Sequence, residues 1–193
     1  MSEMGFIYIY KNDGISSHKK LCRAFMRYAD MNHIRIDDKA LEIVRDRYGK
    51  PSFLHYPKIH FSIAHTKQLW ACAFFEEKIG LDIENEKNVD HHKIAKRFFH
   101  PHEAAFIHDS FSFYRLWTAK ESYVKYIGRG IDGHFSKISV LPGHKEMIDR
   151  KEELSWKQVG VFFHSLMLED GSFLCVCTAK KVKLKINETE VRM

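Results

Sequence analysis

Ile79-Gly80-Leu81-Asp82-Ile83-Glu84 alternates apolar residues with Gly80, Asp82 and Glu84, the period of two that a half-buried strand imposes. Successive side chains leave opposite faces, so Asp82 and Glu84 stand side by side on one of them. Two carboxylates that close repel, and one takes up a proton unless a cation joins them. A hard divalent ion with oxygen ligands, Mg2+ or Mn2+, is the natural counter-charge. An edge strand with a solvated acidic face is the competing reading.

Upstream of this stretch, Ile59 to Ala64 and Leu69 to Phe75 read as strands, with Glu76-Glu77 as a short hairpin connection into it. Gly5 to Tyr10 reads as a first strand. Ser16 or Ser17 caps a helix running to about Asn32, with Leu21, Phe25, Tyr28 and Ala29 on its buried face. Asp37 or Asp38 opens a second helix with Leu41, Val44 and Tyr48 as its stripe, ended by Gly49. Downstream come helices from about Asp90 to Phe99, broken by Pro101, from His102 to His108 and from about Ser112 to Ile127, the last stopped by Gly128-Arg129-Gly130. Lys137 to Leu141, Gln158 to Leu168 and Phe173 to Thr178 read as strands, with Asp170-Gly171 as a hairpin turn. Val182, Leu184 and Ile186 alternate with lysines, as in an edge strand before a polar tail. Helices and antiparallel hairpins intermix, so the expected class is α+β.

The totals bound the answer. A chain of 193 residues, 45% hydrophobic and 29% charged, can bury a core, which excludes disorder as a whole-chain reading. Gly5 to Tyr10 is too short an apolar run for a signal segment, and no stretch reaches the length that spans a bilayer. Cys22, Cys72, Cys175 and Cys177 read as reduced thiols in apolar surroundings. A soluble cytoplasmic protein with no membrane association is expected. The formal net charge of +6 suits nucleic acid, a phosphorylated small molecule or an acidic protein partner, without choosing among them. His91, His92, His100 and His102 cluster without a cysteine and match no tetrahedral zinc spacing, so they read as a solvated, partly capping set.

A second chemical stretch runs from Trp117 to Lys125 in Trp-Thr-Ala-Lys-Glu-Ser-Tyr-Val-Lys. Steps of four place Trp117, Glu121 and Lys125 on one helix face, with Lys120 beside Glu121. An exposed Glu–Lys pair is the plain reading of this stretch alone. Combined with Asp82 and Glu84, Glu121 becomes a third metal ligand or a general base. A diphosphate bridging metal and protein then needs cationic groups opposite, and Lys50, His65, Lys120 and Lys125 supply them from separate elements. Metal, lysines and polyphosphate together suggest transfer at phosphorus.

In order, the chain carries Gly49-Lys50-Pro51, Phe61-Ser62-Ile63-Ala64-His65-Thr66, Gly80 to Glu84, Arg97 to Glu103, Trp117 to Ser122 and Gly128-Arg129-Gly130-Ile131. This series resembles the Sfp-type 4′-phosphopantetheinyl transferases. The resemblance implies two similar halves related by a pseudo-twofold axis, antiparallel sheets with packed helices, and a ligand cleft between the halves. It implies a single unit over 1–193, with approximate halves 1–85 and 86–185 and a polar tail at 186–193, acting as a monomer. The implied activity is Mg2+-dependent transfer of 4′-phosphopantetheine from coenzyme A to a serine of an acidic apo acyl or peptidyl carrier protein, releasing 3′,5′-ADP. The pathway served would be fatty acid, polyketide or nonribosomal peptide synthesis.

By the same resemblance Asp82, Glu84 and Glu121 hold the metal, and Glu121 also accepts the serine proton. Lys125 neutralises charge on the diphosphate, and Lys50, His65 and Lys120 face coenzyme A. Glu103 matches an acidic position near the metal. Gly128, Arg129, Gly130 and Ile131 belong to the face that meets the carrier. Two departures stand out: Ala64 replaces a serine usual in the family, and the N-terminal portion is shorter than usual. Lys19, Lys20 and Arg23 are the candidate substitutes for the basic residues that contact the 3′-phosphate. The competing readings are a relative that binds coenzyme A or a carrier without turnover, and a basic nucleic-acid-binding module using Trp70, Trp117 and other aromatics for stacking. Aromatics at buried periods and scattered lysines count against the nucleic-acid module.

Overall fold

The computed structural model describes residues 4–36, 41–129, 135–141 and 152–188. The elements are β1 (Met4–Lys11), α1 (Ser17–Met31), β2 (Ile43–Arg45), β3 (Pro51–Phe53), β4 (His60–His65), β5 (Leu69–Phe75) and β6 (Ile79–Glu84). They continue as α2 (His91–Phe98), α3 (Pro101–Ala104), α4 (Ser110–Ile127), β7 (Glu153–Gln158), β8 (Val161–Met167), β9 (Phe173–Thr178) and β10 (Lys183–Glu188). One four-stranded sheet has the order β10-β1-β5-β4 and the other β6-β9-β8-β7, with β2 and β3 as a separate ribbon. All pairings are antiparallel except β1 with β10.

The packing follows from which strands carry apolar residues on both faces. β5 is buried along its whole length. Trp70, Cys72 and Phe74 join Leu21, Phe25 and Tyr28 of α1, while Ala71, Ala73 and Phe75 join Ile79, Leu81 and Ile83 of β6. Likewise Cys175 and Cys177 of β9 pack in the core of α4, and Leu174 and Val176 pack against the first sheet. The layers therefore run α1, first sheet, second sheet, α4, with an apolar core in each gap. Burial on both faces is what turns β5 and β9 into unbroken apolar runs. Ser16 accepts the Lys19 amide at the start of α1, and Asp109 accepts the Ser112 amide at the start of α4.

The mixed α+β class is observed, and several local expectations are corrected. Glu76-Glu77 is not a hairpin turn. It leads from β5 in the first sheet to β6, whose partner is β9 in the second. The chain thus passes from the first sheet to the second between Phe75 and Ile79, and β10 returns to the first sheet beside β1. The second helix expected from Asp37 or Asp38 starts outside the described residues, and its later part is β2 with β3. Asp46 Oδ1 accepts the amides of Tyr48 and Lys50, closing a tight turn in which Gly49 has φ 86°. That geometry breaks a helix, and it leaves Tyr48 exposed rather than in a stripe.

Of the strand expected over Gln158 to Leu168, Val161–Met167 is β8, while Gln158 ends β7 and Val159-Gly160, both at positive φ, turn the hairpin between them. The helix expected over His102 to His108 is shorter and begins one residue earlier, as α3 (Pro101–Ala104). Lys137 to Leu141 is not a strand, because its backbone is held by side chains. Lys120 donates to Ile138 O at 2.6 Å, Val140 N to Glu103 at 2.7 Å and Trp156 Nε1 to Val140 O at 2.9 Å. All four cysteines are unpaired, three of them buried and Cys22 half-buried. No helix among the described residues is long and apolar enough to cross a membrane.

His164 in β8 is buried between two hydroxyls, with Nδ1 3.0 Å from Ser155 Oγ and Nε2 3.2 Å from Thr178 Oγ1. Burial first, then Lys181, pulls its pKa from the ordinary 6.5 down to about 4. The folded value lies below the unfolded one, so the neutral ring's contribution is complete above pH 6.5 and is lost as pH falls through 4. The whole effect is roughly 3 kcal/mol, at about 1.4 kcal/mol for each pKa unit. Urea unfolding of His164→Gln and of the parent chain at pH 7 and pH 4.5 checks this. The parent loses more stability than the variant on acidification, and equal losses would remove His164 as the cause.

Candidate active site

Gly80 sets the distance between β6 and α4. A Cβ built there lies 1.9 Å from the Ser122 carbonyl oxygen and 2.5 Å from the Tyr126 amide nitrogen. The helix therefore crosses the strand with backbone nearly against backbone, and the residues next to the crossing meet. On β6 these are Asp82 and Glu84, on the face opposite Leu81 and Ile83. On α4 they are Glu121 and Lys125, one turn apart.

Lys125 Nζ donates to Asp82 Oδ1 at 2.7 Å. Asp82 is 6% exposed, and its second oxygen is buried with no hydrogen-bond partner among the described residues. Burial lifts the Asp82 pKa to about 6, against the pull of Lys125, with Glu84 adding to the rise. Glu121, half-buried, is lifted to about 7 by burial and by Asp82, with Lys125 opposing and Glu84 adding to the rise. Glu84 receives Lys87 Nζ at 2.7 Å, and that contact raises the Lys87 pKa. The two strand carboxylates and the helix carboxylate thus load one another with charge that Lys125 only partly offsets.

A metal is the other way to offset that charge. Among the described residues no group of three or more His, Cys, Asp or Glu side chains is arranged to hold a metal ion, and Lys125 sits on one oxygen of Asp82. The donor chemistry fits a hard divalent cation all the same. The three groups are carboxylates, Glu84 raises the pKa of Asp82 and both raise that of Glu121, and among the described residues Asp82 Oδ2 is a buried acceptor with nothing donating to it.

Beside these groups lies a cavity of about 420 Å3 whose wall includes Ser17, Arg45, Tyr48, Lys50, His65 and Lys125. Lys50 and His65 are therefore brought to the same space as Lys125, as their motifs suggest. The Lys50 ammonium is turned to the end of α4, donating to the carbonyls of Lys125 at 2.6 Å and Tyr126 at 2.9 Å. There it meets the negative end of the helix and closes the last turn. Burial, with Lys78 nearby, lowers its pKa to about 8. Ser17, Arg45 and Tyr48 are wall residues that the sequence reading missed. The signal was present in Arg45-Asp46-Arg47-Tyr48 directly before Gly49-Lys50-Pro51, once that run is read as a turn.

Several other expected site residues lie away from this cavity. Lys120 does not face this cavity. Its ammonium is 2.8 Å from Glu103 and bonded to Ile138 O, with both side chains buried. Glu103, expected as an acidic position near the metal, accepts from His100 N, Lys120 and Val140 N. The pair joins α3, α4 and the segment after α4, and breaking such a buried pair costs about 3–5 kcal/mol. Lys20 and Arg23 line a different cavity, and Lys19 lines neither. Trp117 packs on Phe99 and Phe113 in the apolar core. Of the expected carrier face, Gly128 caps α4 and Arg129 is exposed, lining a cavity with Tyr123, Tyr126 and Phe135. Gly130 and Ile131 lie outside the described residues. Among the histidines, His100 Nδ1 accepts the His102 amide and caps α3.

Comparison with known proteins bears on the same stretch. Residues 78–168 match the family model described as the 4′-phosphopantetheinyl transferase superfamily. The chain is 36% identical to 4′-phosphopantetheinyl transferase gsp of Aneurinibacillus migulanus, over 51% of this chain and 43% of that one. It is 34% identical to 4′-phosphopantetheinyl transferase Sfp of Bacillus subtilis (strain 168), over 55% of this chain and 50% of that one. With 4′-phosphopantetheinyl transferase ffp of Bacillus subtilis the identity is 30%, over 69% and 61%. The matches thus span about half the length of these curated relatives. The chain is thus similar to these 4′-phosphopantetheinyl transferases, and the stretch that matches the family model carries Asp82, Glu84, Glu121 and Lys125.

Proposed function

We propose that the protein transfers the 4′-phosphopantetheine arm of coenzyme A to a serine hydroxyl of an apo carrier protein. The observation that carries this reading is the meeting of Asp82 and Glu84 on β6 with Glu121 and Lys125 on α4, beside a cavity edged by Lys50 and His65. In the reaction the serine oxygen bonds to the phosphorus that bears pantetheine, and the bond from that phosphorus to the bridging oxygen of the diphosphate breaks. 3′,5′-ADP leaves with the electron pair. Glu121, whose pKa of about 7 suits a general base, accepts the serine proton. Lys125 offsets the charge that grows on the leaving phosphate, having Asp82 as its resting partner. Asp82, Glu84 and Glu121 would hold Mg2+ or Mn2+, which when bound neutralises diphosphate oxygens.

The cavity lined by Lys50 and His65 is read as the coenzyme A cleft, lying between two similar sheet-and-helix halves related by a pseudo-twofold axis. The carrier approaches from the side of Gly128 and Arg129, and the net charge of +6 draws in an acidic surface. The protein acts as a cytoplasmic monomer without nucleic acid.

Intact-mass spectrometry of an apo carrier incubated with this protein, coenzyme A and Mg2+ tests the reading. The expected result is a gain of one phosphopantetheine arm, abolished by chelation and restored by Mg2+. Coenzyme A binding without any gain across several carriers would make the protein a binder without turnover. Neither gain nor binding would overturn the proposal.

A further inference from the structure

The last turn of α4 is held from outside the helix. The final carbonyls of a helix have no partner within it, and in α4 those of Lys125 and Tyr126 accept the Lys50 ammonium at 2.6 and 2.9 Å. The same ammonium lies 3.4 Å from the carbonyl oxygen of Ile79, the first residue of β6. β6 stands at the edge of its sheet, with β9 on one side. Two residues later on β6 the Leu81 amide donates to Ser62 Oγ of the first sheet at 2.9 Å. One cation thus joins the end of α4 to the start of β6, the two elements that carry Lys125 and Asp82.

Lys50 can anchor them because its own backbone is fixed. Asp46 Oδ1 accepts the Lys50 amide at 2.9 Å, Lys50 O accepts the Asp46 amide at 3.1 Å, and Arg45 donates to Gly49 O at 2.7 Å. The stem of Lys50 runs against Gly128, where an added Cβ would stand 3.0 Å from Lys50 Cδ. Gly128 therefore meets two needs, the φ of 78° that ends the helix and room for the lysine beside it. An ammonium has three N–H donors, and three main-chain carbonyls face this one. Lys50 lines the cavity with its stem while its charge is spent on the helix end.

We propose that Lys50 is a positioning residue of the transfer reaction: it fixes the last turn of α4 and so holds the Lys125 ammonium where charge grows on the leaving phosphate. The inference rests on the transferase reading, and it moves Lys50 out of the coenzyme contacts among which its motif placed it. Glu121 lies one turn earlier, where Ser122 is pressed on Gly80, so loss of Lys50 displaces Lys125 first.

The experiment is a cycle of four proteins: the parent, Lys50→Met, Lys125→Ala and the double variant. Transfer to a fixed apo carrier is followed by intact mass, coenzyme A binding by calorimetry, and folding by melting curves. Methionine keeps most of the stem and removes the ammonium, and Lys50→Gln, which keeps a donor, carries the test if Lys50→Met does not fold. Lys50→Met is expected to lower kcat by about 10- to 10^2-fold, as for a reacting group displaced by up to 1 Å, with the Kd for coenzyme A unchanged. In the Lys125→Ala background it is expected to cost nothing further, because residues that act through one another are not additive. Weakened coenzyme A binding with kcat spared would make Lys50 a coenzyme contact and overturn the proposal. A loss that multiplies in full with that of Lys125→Ala would overturn it as well. A parent chain without transfer would overturn the transferase reading and this inference with it, whereas an active parent matched by Lys50→Met would overturn this inference alone.

Discussion

With the protein acting as the proposed transferase, Glu121→Gln lowers phosphopantetheine transfer by a factor of about 10^2 to 10^4, the usual contribution of a positioned general base, while the protein melts at the same temperature or higher. The two halves of this result have one cause. Glu121 is held where burial, Asp82 and Glu84 all disfavour its charge, and only Lys125 favours it. A neutral amide of the same shape removes that repulsion and loses the proton acceptor with it. A side chain placed for stability would behave in the opposite way, with melting temperature falling and activity following it. Initial rates with a fixed apo carrier, beside a melting curve on the same preparation, separate the cases. Near-normal turnover in Glu121→Gln would take the residue out of its assigned role, and a fall in melting temperature of several degrees would make it structural.

The same residues show what the sequence could and could not reveal. Alternation in Ile79 to Glu84 was enough to place Asp82 and Glu84 on one face, because the period of a strand is fixed by its backbone. The spacing of Glu121 and Lys125 was enough to put them on one side of a helix. The partner of the strand was not legible. β5, β6 and β9 are all apolar, and nothing local says that the chain changes sheets at Glu76-Glu77 rather than turning back.

Lys120 misled for a related reason. Helical spacing sets it beside Glu121, but its direction depends on Glu103, distant in sequence, which binds it 2.8 Å away in the core. Lys20 and Arg23 were read, from the family resemblance, as substitutes for the basic residues that contact the 3′-phosphate. In space the helix carries them into another cavity. The run from Leu41 to Gly49 looked helical by its apolar spacing, and the Asp46 side chain overrode it by capturing two amides of a turn. Periodicity thus located the faces of elements, while side chains that reach across the fold decided which groups stayed free for chemistry.

Gly80→Ala tests the crossing on which the site depends. The added carbon would stand 1.9 Å from the Ser122 carbonyl oxygen and 2.5 Å from the Tyr126 amide, distances no real Cβ keeps. Both atoms are backbone of α4, so no side-chain rotation relieves the contact and the helix as a whole must move away from β6. Overpacking usually costs about 1–3 kcal/mol, and a backbone clash of this depth belongs at or above the top of that range. Gly5→Ala is the matched control, since its Cβ would meet the tip of Leu184 at 3.1 Å, a flexible side chain that can yield. The fraction of Gly80→Ala that remains folded carries a second defect. Asp82 follows the strand while Glu121 and Lys125 follow the helix, so separating the two lengthens the Lys125–Asp82 contact and splits the carboxylate group. A misplacement near 1 Å can cost about 10^2-fold in rate. Melting temperature and transfer rate therefore both fall in Gly80→Ala and both hold in Gly5→Ala. If Gly80→Ala keeps its melting temperature and its rate, the close crossing of β6 and α4 is not what assembles the site. If it melts early but transfers normally once folded, the crossing supports the fold alone, and the carboxylates meet by some other constraint.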